Sequence, residues 1–435
     1  MKVQPKVFKF GGASLKDAAG VKNVASILQT YQHQPLLIVV SAMGKTTNAL
    51  EEVITAHAQQ NDEAFTHYDK VKQTHYALMD ELFPKGHAIY DVVHDTFAEA
   101  EWVLEDAPHE NYDYMYDQII GIGELVSSRI VAGYLNYLNI TTTWIDARDV
   151  LTTDDTYREA IINWDKTLEN AQRIFTPVLK ENVFVVTQGF IGSTSENTTT
   201  TLGREGSDYS AAIFSFCLDA DSMTVWKDVP GVLNADPRLF DNVVKIDRLS
   251  YAEAIEMTYF GASVIHPKTV KPLQNKNIPL RVKSFVNPTA DGTIISGDFE
   301  AHYPTIVIVE KNQTLLQISP SDYSFVVEHH LSYLFKLFAD QRIFVNMMQN
   351  TALSFGACVT NVPDRIANVM AALEKDYTVI KEDNLELITV RHFQESVLDE
   401  LKKNKIVLLE ERIGKTVQMV VRNVPPLARK DYNIS

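Results

Sequence analysis

At 435 residues the chain is too long for one ordinary hydrophobic core, so two or three domains are expected. Its composition is globular, 45% hydrophobic and 22% charged, and a net charge of −16 argues against a general nucleic-acid binder while leaving a single bound nucleotide open. The longest apolar run, Leu36–Val40, is far short of a membrane span, and Cys217 and Cys358 sit in apolar surroundings without metal-ligand spacing. The expectation is a reduced, cytoplasmic protein with no metal held by a dedicated cluster of side chains.

In chain order, a strand-like run, Val7–Phe10, delivers Lys9 and then Gly11 and Gly12, and a helical pattern follows over Leu15–Thr30. The apolar strand Leu36–Ser41 ends in Ser41-Ala42-Met43-Gly44-Lys45-Thr46-Thr47-Asn48 and opens a helix over Asn48–Gln59. An acidic, aromatic-rich stretch from Asp62 to Glu105 reads as a helical excursion. Gly121-Ile122-Gly123-Glu124 precedes a helix over Glu124–Leu138, and strands are expected at Thr142–Ile145 and Val183–Thr187. The Ser, Thr and Asn residues of Gly192–Thr201 read as a mobile, lid-like loop. Gly203-Arg204-Glu205-Gly206-Ser207-Asp208 then opens a helix over Asp208–Leu218, and a strand at Thr224–Trp226 leads into Lys227-Asp228-Val229-Pro230-Gly231 and Asp236-Pro237-Arg238. This alternation of strands and helices implies an α/β domain with a mostly parallel sheet.

Composition shifts between Asn287 and Gly297, where Pro288, Gly292 and Gly297 mark a boundary. Beyond it, strands at Thr305–Val309 and Leu315–Ile318, a helix over Phe325–Ala339, strands at Ile343–Met348 and Ser354–Val359, a helix over Asp364–Lys375 and a strand at Tyr377–Lys381 follow. From Leu315 this reads β-α-β-β-α-β, a ferredoxin-like module. A shorter echo follows: strand Glu386–Val390, helix Glu395–Lys403, and strands Ile406–Leu409 and Thr416–Val421. The boundaries that result are 1–298, 299–383 and 384–435, the second small module being truncated and the leading strand shared between the two.

Several of these residues suit phosphate and amino-acid chemistry, each beside a plainer role. Lys9 can neutralise charge on a transferring phosphoryl group, and Gly11 and Gly12 can present N–H groups to it, or the three can form a strand end and turn. Ser14 has the position of a helix N-cap. Thr47 or Asn48 either caps a helix or, with Ser41, holds an anion at the strand's carboxyl end. Glu124 either binds a ligand ammonium or favours the positive helix terminus. Arg204 offers a fork for a carboxylate, and Asp208 either orients a lysine or caps its helix. His266, before Pro267, reads as structural.

Taken together, Lys9-Phe10-Gly11-Gly12, Ser41–Asn48, Gly123-Glu124, Gly203–Asp208, Asp228–Gly231, Asp236-Pro237-Arg238, Phe260-Gly261 and His266-Pro267 resemble aspartate kinase, within the amino-acid kinase superfamily. The last third is similar to that family's paired ACT domains. The resemblance implies a carbamate-kinase-like α/β sandwich followed by two ferredoxin-like ACT modules. It implies ATP-dependent phosphorylation of L-aspartate to 4-phospho-L-aspartate, the first step toward lysine, threonine and methionine, with Mg²⁺ bound mainly through the nucleotide phosphates. Lys9 and Asp208 would be catalytic. Ser41, Thr47, Glu124, Arg204, Ser207 and Asp208 would bind aspartate. Lys9, Gly11, Gly12, Ser14, Lys227, Asp228, Leu233, Asp236, Arg238 and Ser263 would line the nucleotide side. The resemblance also implies an amino-acid effector at the ACT modules and a homodimer or larger assembly through them; a fused homoserine dehydrogenase is not expected, since no second catalytic domain follows Ser435.

The chain departs from the family's pattern at Ala13, Glu205, Lys227, Leu233 and Ser263, where threonine, glycine, threonine, tyrosine and lysine are typical. Lys227 or Lys268 is a candidate replacement for the cation lost at Ser263. A catalytically weak amino-acid sensor, or a kinase acting on another carboxylate or a carbamate, is the alternative reading.

Overall fold

The computed structural model describes residues 4–181, 183–262, 265–297 and 302–424. They form two compact bodies. The first takes in the described residues of Met1–Val232, Asp247–Thr258 and Ser263–Ala301, and the second those of Leu233–Ile246, Tyr259–Ala262 and His302–Ser435. The predicted boundary at 298/299 lies outside the described residues, as does Ser263.

Ten strands belong to the first body: β1 (Lys6–Phe10), β2 (Leu36–Val40), β3 (Thr142–Trp144), β4 (Phe184–Gln188), β5 (Ile191–Ser193), β6 (Thr199–Thr201), β7 (Ser222–Lys227), β8 (Arg248–Ser250), β9 (Leu280–Ser284) and β10 (Thr293–Ser296). Eight make one sheet in the order β3-β4-β2-β1-β7-β9-β10-β8, parallel except where β10 meets β9. All five residues of β2 are buried, as expected of a parallel strand covered on both faces. The chain leaves β1 for β2 on one side and returns to β7 on the other. The carboxyl ends of β1 and β7 therefore flank a reversal of strand order, where open α/β sheets form ligand crevices. Phe10 stacks on Trp226 with ring centroids 5.9 Å apart, fixing those two ends. An aromatic pair of this kind adds about 0.5–1.5 kcal/mol beyond its burial.

The helices of the chain up to 275 are α1 (Ala18–Gln29), α2 (Thr46–Ala58), α3 (Glu63–Leu82), α4 (Ile89–Glu105), α5 (Tyr112–Ile120), α6 (Ile122–Tyr137), α7 (Trp164–Lys180), α8 (Gly206–Cys217), α9 (Tyr251–Tyr259) and α10 (Pro267–Asn275). The predicted excursion is α3 and α4, linked by the Tyr68 hydroxyl to the Phe97 carbonyl at 2.6 Å. Two expectations are corrected. Ser14 lies in a 3-10 turn, Gly12–Leu15, and Asp17 caps α1 by accepting the Gly20 N–H at 2.8 Å. Gly192–Thr201 is not an open loop but part of a hairpin, β5 paired with β6, with buried strands and an exposed turn at Ser195–Asn197; Thr194 bonds Thr198 and Thr200 bonds Thr153. Its anchor is Asp117 on α5, which accepts the Thr201 N–H at 2.8 Å, the Thr201 hydroxyl at 2.8 Å and the Arg158 N–H at 2.9 Å.

The second body holds β11 (Ile306–Pro320), α11 (Glu328–Asp340), β12 (Val345–Asn350), β13 (Phe355–Thr360), α12 (Pro363–Leu373), β14 (Tyr377–Arg391), α13 (Glu395–Lys402), β15 (Lys405–Ile413) and β16 (Thr416–Asn423). The two strands expected on either side of residue 312 are one continuous β11, and those expected on either side of 384 are one continuous β14. Both carry a register shift where their pairing passes from one half to the other. The sheet order is β12-β13-β11-β14-β16-β15. The first half of β11 pairs with the second half of β14, and the second half of β11 with the first half of β14. Ala235 and Phe240 pack on the core beside α13. Leu315, Met347 and Cys358 cluster with Leu409 and Val420 from the other end of the sheet, so its second face closes on itself. Both cysteines are free and buried, with burial pushing each thiol up to about 12. No described helix is long and apolar enough to cross a membrane.

Candidate active site

Lys9 precedes the last residue of β1, with its backbone flanked by Val39 of β2 and Val225 of β7. Its ammonium lies 2.5 Å from Oδ1 of Asp208, and the Lys227 ammonium, at the end of β7, lies 3.5 Å from Oδ2. Asp208 is buried in the first turn of α8. Burial alone would raise its carboxyl, but Lys9 and Lys227 together outweigh that and hold it below the usual carboxylate range. It does not cap α8: Glu205 takes the N-cap position. The start of α8 presses on the end of β4, where a Cβ on Gly189 would come within 2.5 Å of Ser207. Gly12 is equally constrained, since a Cβ there would lie 2.7 Å from the Ala42 carbonyl.

Glu124 stands in the first turn of α6 and is buried. Its Oε1 accepts the Ala42 N–H at 3.3 Å, whereas Oε2 has no hydrogen-bond partner among the described residues. Burial pushes the carboxyl up to about 8, opposed by the Ala42 hydrogen bond and by the nearby charge of Lys9. A buried carboxylate with one open oxygen is suited to receive a cation rather than merely to oppose a helix dipole. Ser127, one helical turn on, donates its hydroxyl to the Ser41 carbonyl at 2.7 Å and so ties the β2 end to α6.

Glu205 occupies the left-handed region, φ 54°, a conformation that favours glycine. Its buried Oε2 has no hydrogen-bond partner among the described residues. Burial raises this carboxyl and so does Asp208, against the pull of Lys227, Lys9 and Arg204. Arg204 is exposed and makes no ion pair among the described residues, which leaves its guanidinium available.

Neither Thr47 nor Asn48 caps α2; its N-cap position is Lys45, without a side-chain cap. Thr47 is half-buried in the first turn of that helix, Ser14 and Ser207 are buried, and Asp228 is exposed just beyond β7. Leu233, Asp236 and Arg238 belong to the second body, where Arg238 pairs with Asp236 at 2.7 Å. The site described above is built from the first body alone. His266 caps α10 by accepting the Lys268 N–H at 3.2 Å, as its structural reading required, and Lys268 is exposed. Two contributors escaped the sequence reading. The Ala42 N–H is a backbone group with no side-chain signature, and Asp117 was marked only by being an acid between the apolar residues of α5.

The model of the amino acid kinase family matches residues 4–284. Lysine-sensitive aspartokinase 3 of Escherichia coli strain K12 is 32% identical over 80% of this chain and 76% of its own length. The chain belongs to the aspartokinases of the amino acid kinase family. Aspartokinase 1, chloroplastic, of Arabidopsis thaliana is 30% identical over 88% of this chain and 68% of its own. The crystal structure of E. coli aspartokinase III in complex with aspartate and ADP superposes with a TM-score of 0.83 at 26% identity, covering 97% of this chain and 96% of that one. The resemblance drawn from the motifs is borne out, as is the fold it implied, an amino acid kinase domain followed by ACT-like modules.

Proposed function

We propose that this aspartokinase transfers the γ-phosphoryl group of ATP to the side-chain carboxylate of L-aspartate, giving 4-phospho-L-aspartate and ADP. The observation that carries the reading is the buried Lys9–Asp208–Lys227 chain at the carboxyl ends of β1 and β7, with Glu124 on the same side of the sheet and within the field of Lys9. The nucleophile is a carboxylate, already ionised at neutral pH, so no general base is required. What opposes the reaction is the approach of two anions. Lys9, fixed by Asp208, neutralises charge on the transferring group, and Lys227 supplies a second cation held by the same carboxylate. Gly11 and Gly12 turn backbone toward the phosphates, with Ser14 behind them and Asp228 on the ribose side. Glu124 receives the aspartate ammonium, Arg204 its carboxylate, and Ser41, Thr47 and Ser207 border the same space. A Mg²⁺ carried mainly by the nucleotide phosphates would offset their charge.

A coupled ADP-release assay with pure protein, ATP, Mg²⁺ and L-aspartate tests the assignment. Aspartate-dependent turnover is expected, and its absence from folded protein would overturn it. The second body acts, on this proposal, as a regulatory pair of ACT-like modules that binds an amino-acid effector and pairs with a second copy. Support comes from the lysine sensitivity in the name of the E. coli relative and from two exposed apolar residues, Phe344 just before the edge strand β12 and Met348 on it. Light scattering that found only monomer at micromolar concentration would count against the pairing.

A further inference from the structure

Outside the catalytic chain of charges, the first body has a cleft of about 240 Å³ between α3 and the start of α2. Its rim carries Lys16, Lys45 and Lys70, all exposed and none in an ion pair among the described residues. Its floor is apolar, formed by the buried Met43, Val71 and Leu78. Among the described residues no carboxylate lines it. Three uncompensated cations beside an apolar floor are unusual on a chain of net charge −16.

Two buried polar groups line the cleft, Thr46 and His75, and His75 is the deeper at 1% exposed. Its Nδ1 lies 2.8 Å from the Val71 carbonyl, so that nitrogen carries a proton and donates it. Its Nε2 lies 3.5 Å from the Thr46 hydroxyl, but Thr46 has one proton and gives it to the Met43 carbonyl at 2.6 Å. Neutral His75 therefore keeps an Nε2 lone pair without a donor. Protonated His75 satisfies both nitrogens, donating to Val71 and to the Thr46 oxygen. Burial opposes that state and holds the imidazole below its ordinary range. Thr46 of α2 and the Phe97 ring of α4, 5.6 Å away, lie against it, and Lys16, Lys45 and Lys70 line the same cleft. None is an anion.

We infer that this cleft binds a small amphipathic anion, with an apolar body on the Met43–Val71–Leu78 floor and an acidic head among the three lysines. The anion supplies the negative charge that the imidazolium lacks, so binding and protonation of His75 are coupled. Affinity then rises as pH falls through the titration of His75 in the complex, and levels off below its titration in the free protein.

Ligand-observed NMR titration of the full chain, with ADP and aspartate present at saturating concentration, tests this with three probes. Isovalerate has both the charge and the apolar body, acetate lacks the body, and isovaleramide lacks the charge. Isovalerate is expected to bind best and the amide not at all. In Lys45→Ala/Lys70→Ala, whose exposed positions leave the core intact, isovalerate should bind roughly tenfold more weakly. Between pH 8 and pH 6 its affinity should rise by up to about tenfold per unit in the parent and stay flat in His75→Gln. Equal binding of isovalerate and acetate would overturn the inference, as would binding that survives removal of the lysines or no saturable binding at all.

Discussion

The Lys227 ammonium lies 3.5 Å from Oδ2 of Asp208, the oxygen left over when Lys9 takes Oδ1 at 2.5 Å. One buried carboxylate thus holds two cations that would otherwise repel across the ends of β1 and β7. This arrangement makes Asp208 a positioning residue for both.

Lys9→Ala should lower kcat by roughly 10²–10³-fold, the usual cost of deleting one preorganised charge-stabilising group. Lys227 still partners Asp208 in that variant, so the fold should survive, with a thermal melt close to the parent's. A kcat near the parent's in the ADP-release assay would remove Lys9 from its assigned role. Lys227→Ala should raise the KM for ATP more than it lowers kcat.

Glu124 predicts a trade between stability and binding. Its carboxyl is pushed up to about 8 by burial, from an ordinary value of 4.5. Between those two values the folded chain holds a proton that the unfolded chain has released, so this group's contribution to stability falls as pH rises through that window. Glu124→Gln keeps the acceptor for the Ala42 N–H and cannot ionise. It should therefore melt higher than the parent at pH 8.5 while its KM for aspartate rises. In the parent, kcat/KM for aspartate should climb as pH rises toward 8, because only the ionised carboxyl attracts an ammonium. A flat profile, or a glutamine variant with parental KM, would refute the ammonium contact.

The central strands were legible because they are buried on both faces: Leu36–Val40 has no other way to fold. Lys9 was legible because it stands at the end of a strand just before two glycines, and Glu124 and Asp208 because each opens a helix beside glycine. The hairpin over 191–201 was not, because its threonines look like solvent-facing residues. Their hydroxyls instead bond within the protein, Thr194 with Thr198 at 2.7 Å and Thr200 with Thr153 at 2.7 Å. Helix α7 was hidden similarly: its buried stripe is Thr167, Ala171, Phe175 and Leu179, with only two large apolar residues. The continuity of β11 and β14 was obscured by polar residues at 311–313 and 382–384, where the register shifts and the strand passes from one module to the next.

Asp117 gives a prediction about the hairpin itself. It is buried and accepts three hydrogen bonds, two from Thr201 and one from Arg158. Asp117→Ala leaves the buried N–H and hydroxyl of Thr201, and the half-buried N–H of Arg158, without their acceptor and should cost about 3 kcal/mol. A lower melting temperature should be accompanied by new protease cleavage between Ile191 and Thr201. A variant as stable and as resistant as the parent would show that the hairpin does not depend on this anchor.

Glu205 places an anion among the cations that the proposed function assigns to phosphates, and does so from a strained backbone. Holding a non-glycine residue at φ 54° costs about 1 kcal/mol. Glu205→Gly removes both the strain and the charge, and Glu205→Gln removes the charge alone. Both variants should bind ADP several-fold more tightly by calorimetry, and only the glycine variant should also melt higher. The parent carries a pH signature that both variants lack. Burial raises the Glu205 carboxyl, so it takes up a proton at a higher pH than an ordinary glutamate, and ADP affinity should rise as pH falls through that titration. If parent and Glu205→Gln bind ADP equally across that range, the Glu205 charge does not act on the nucleotide.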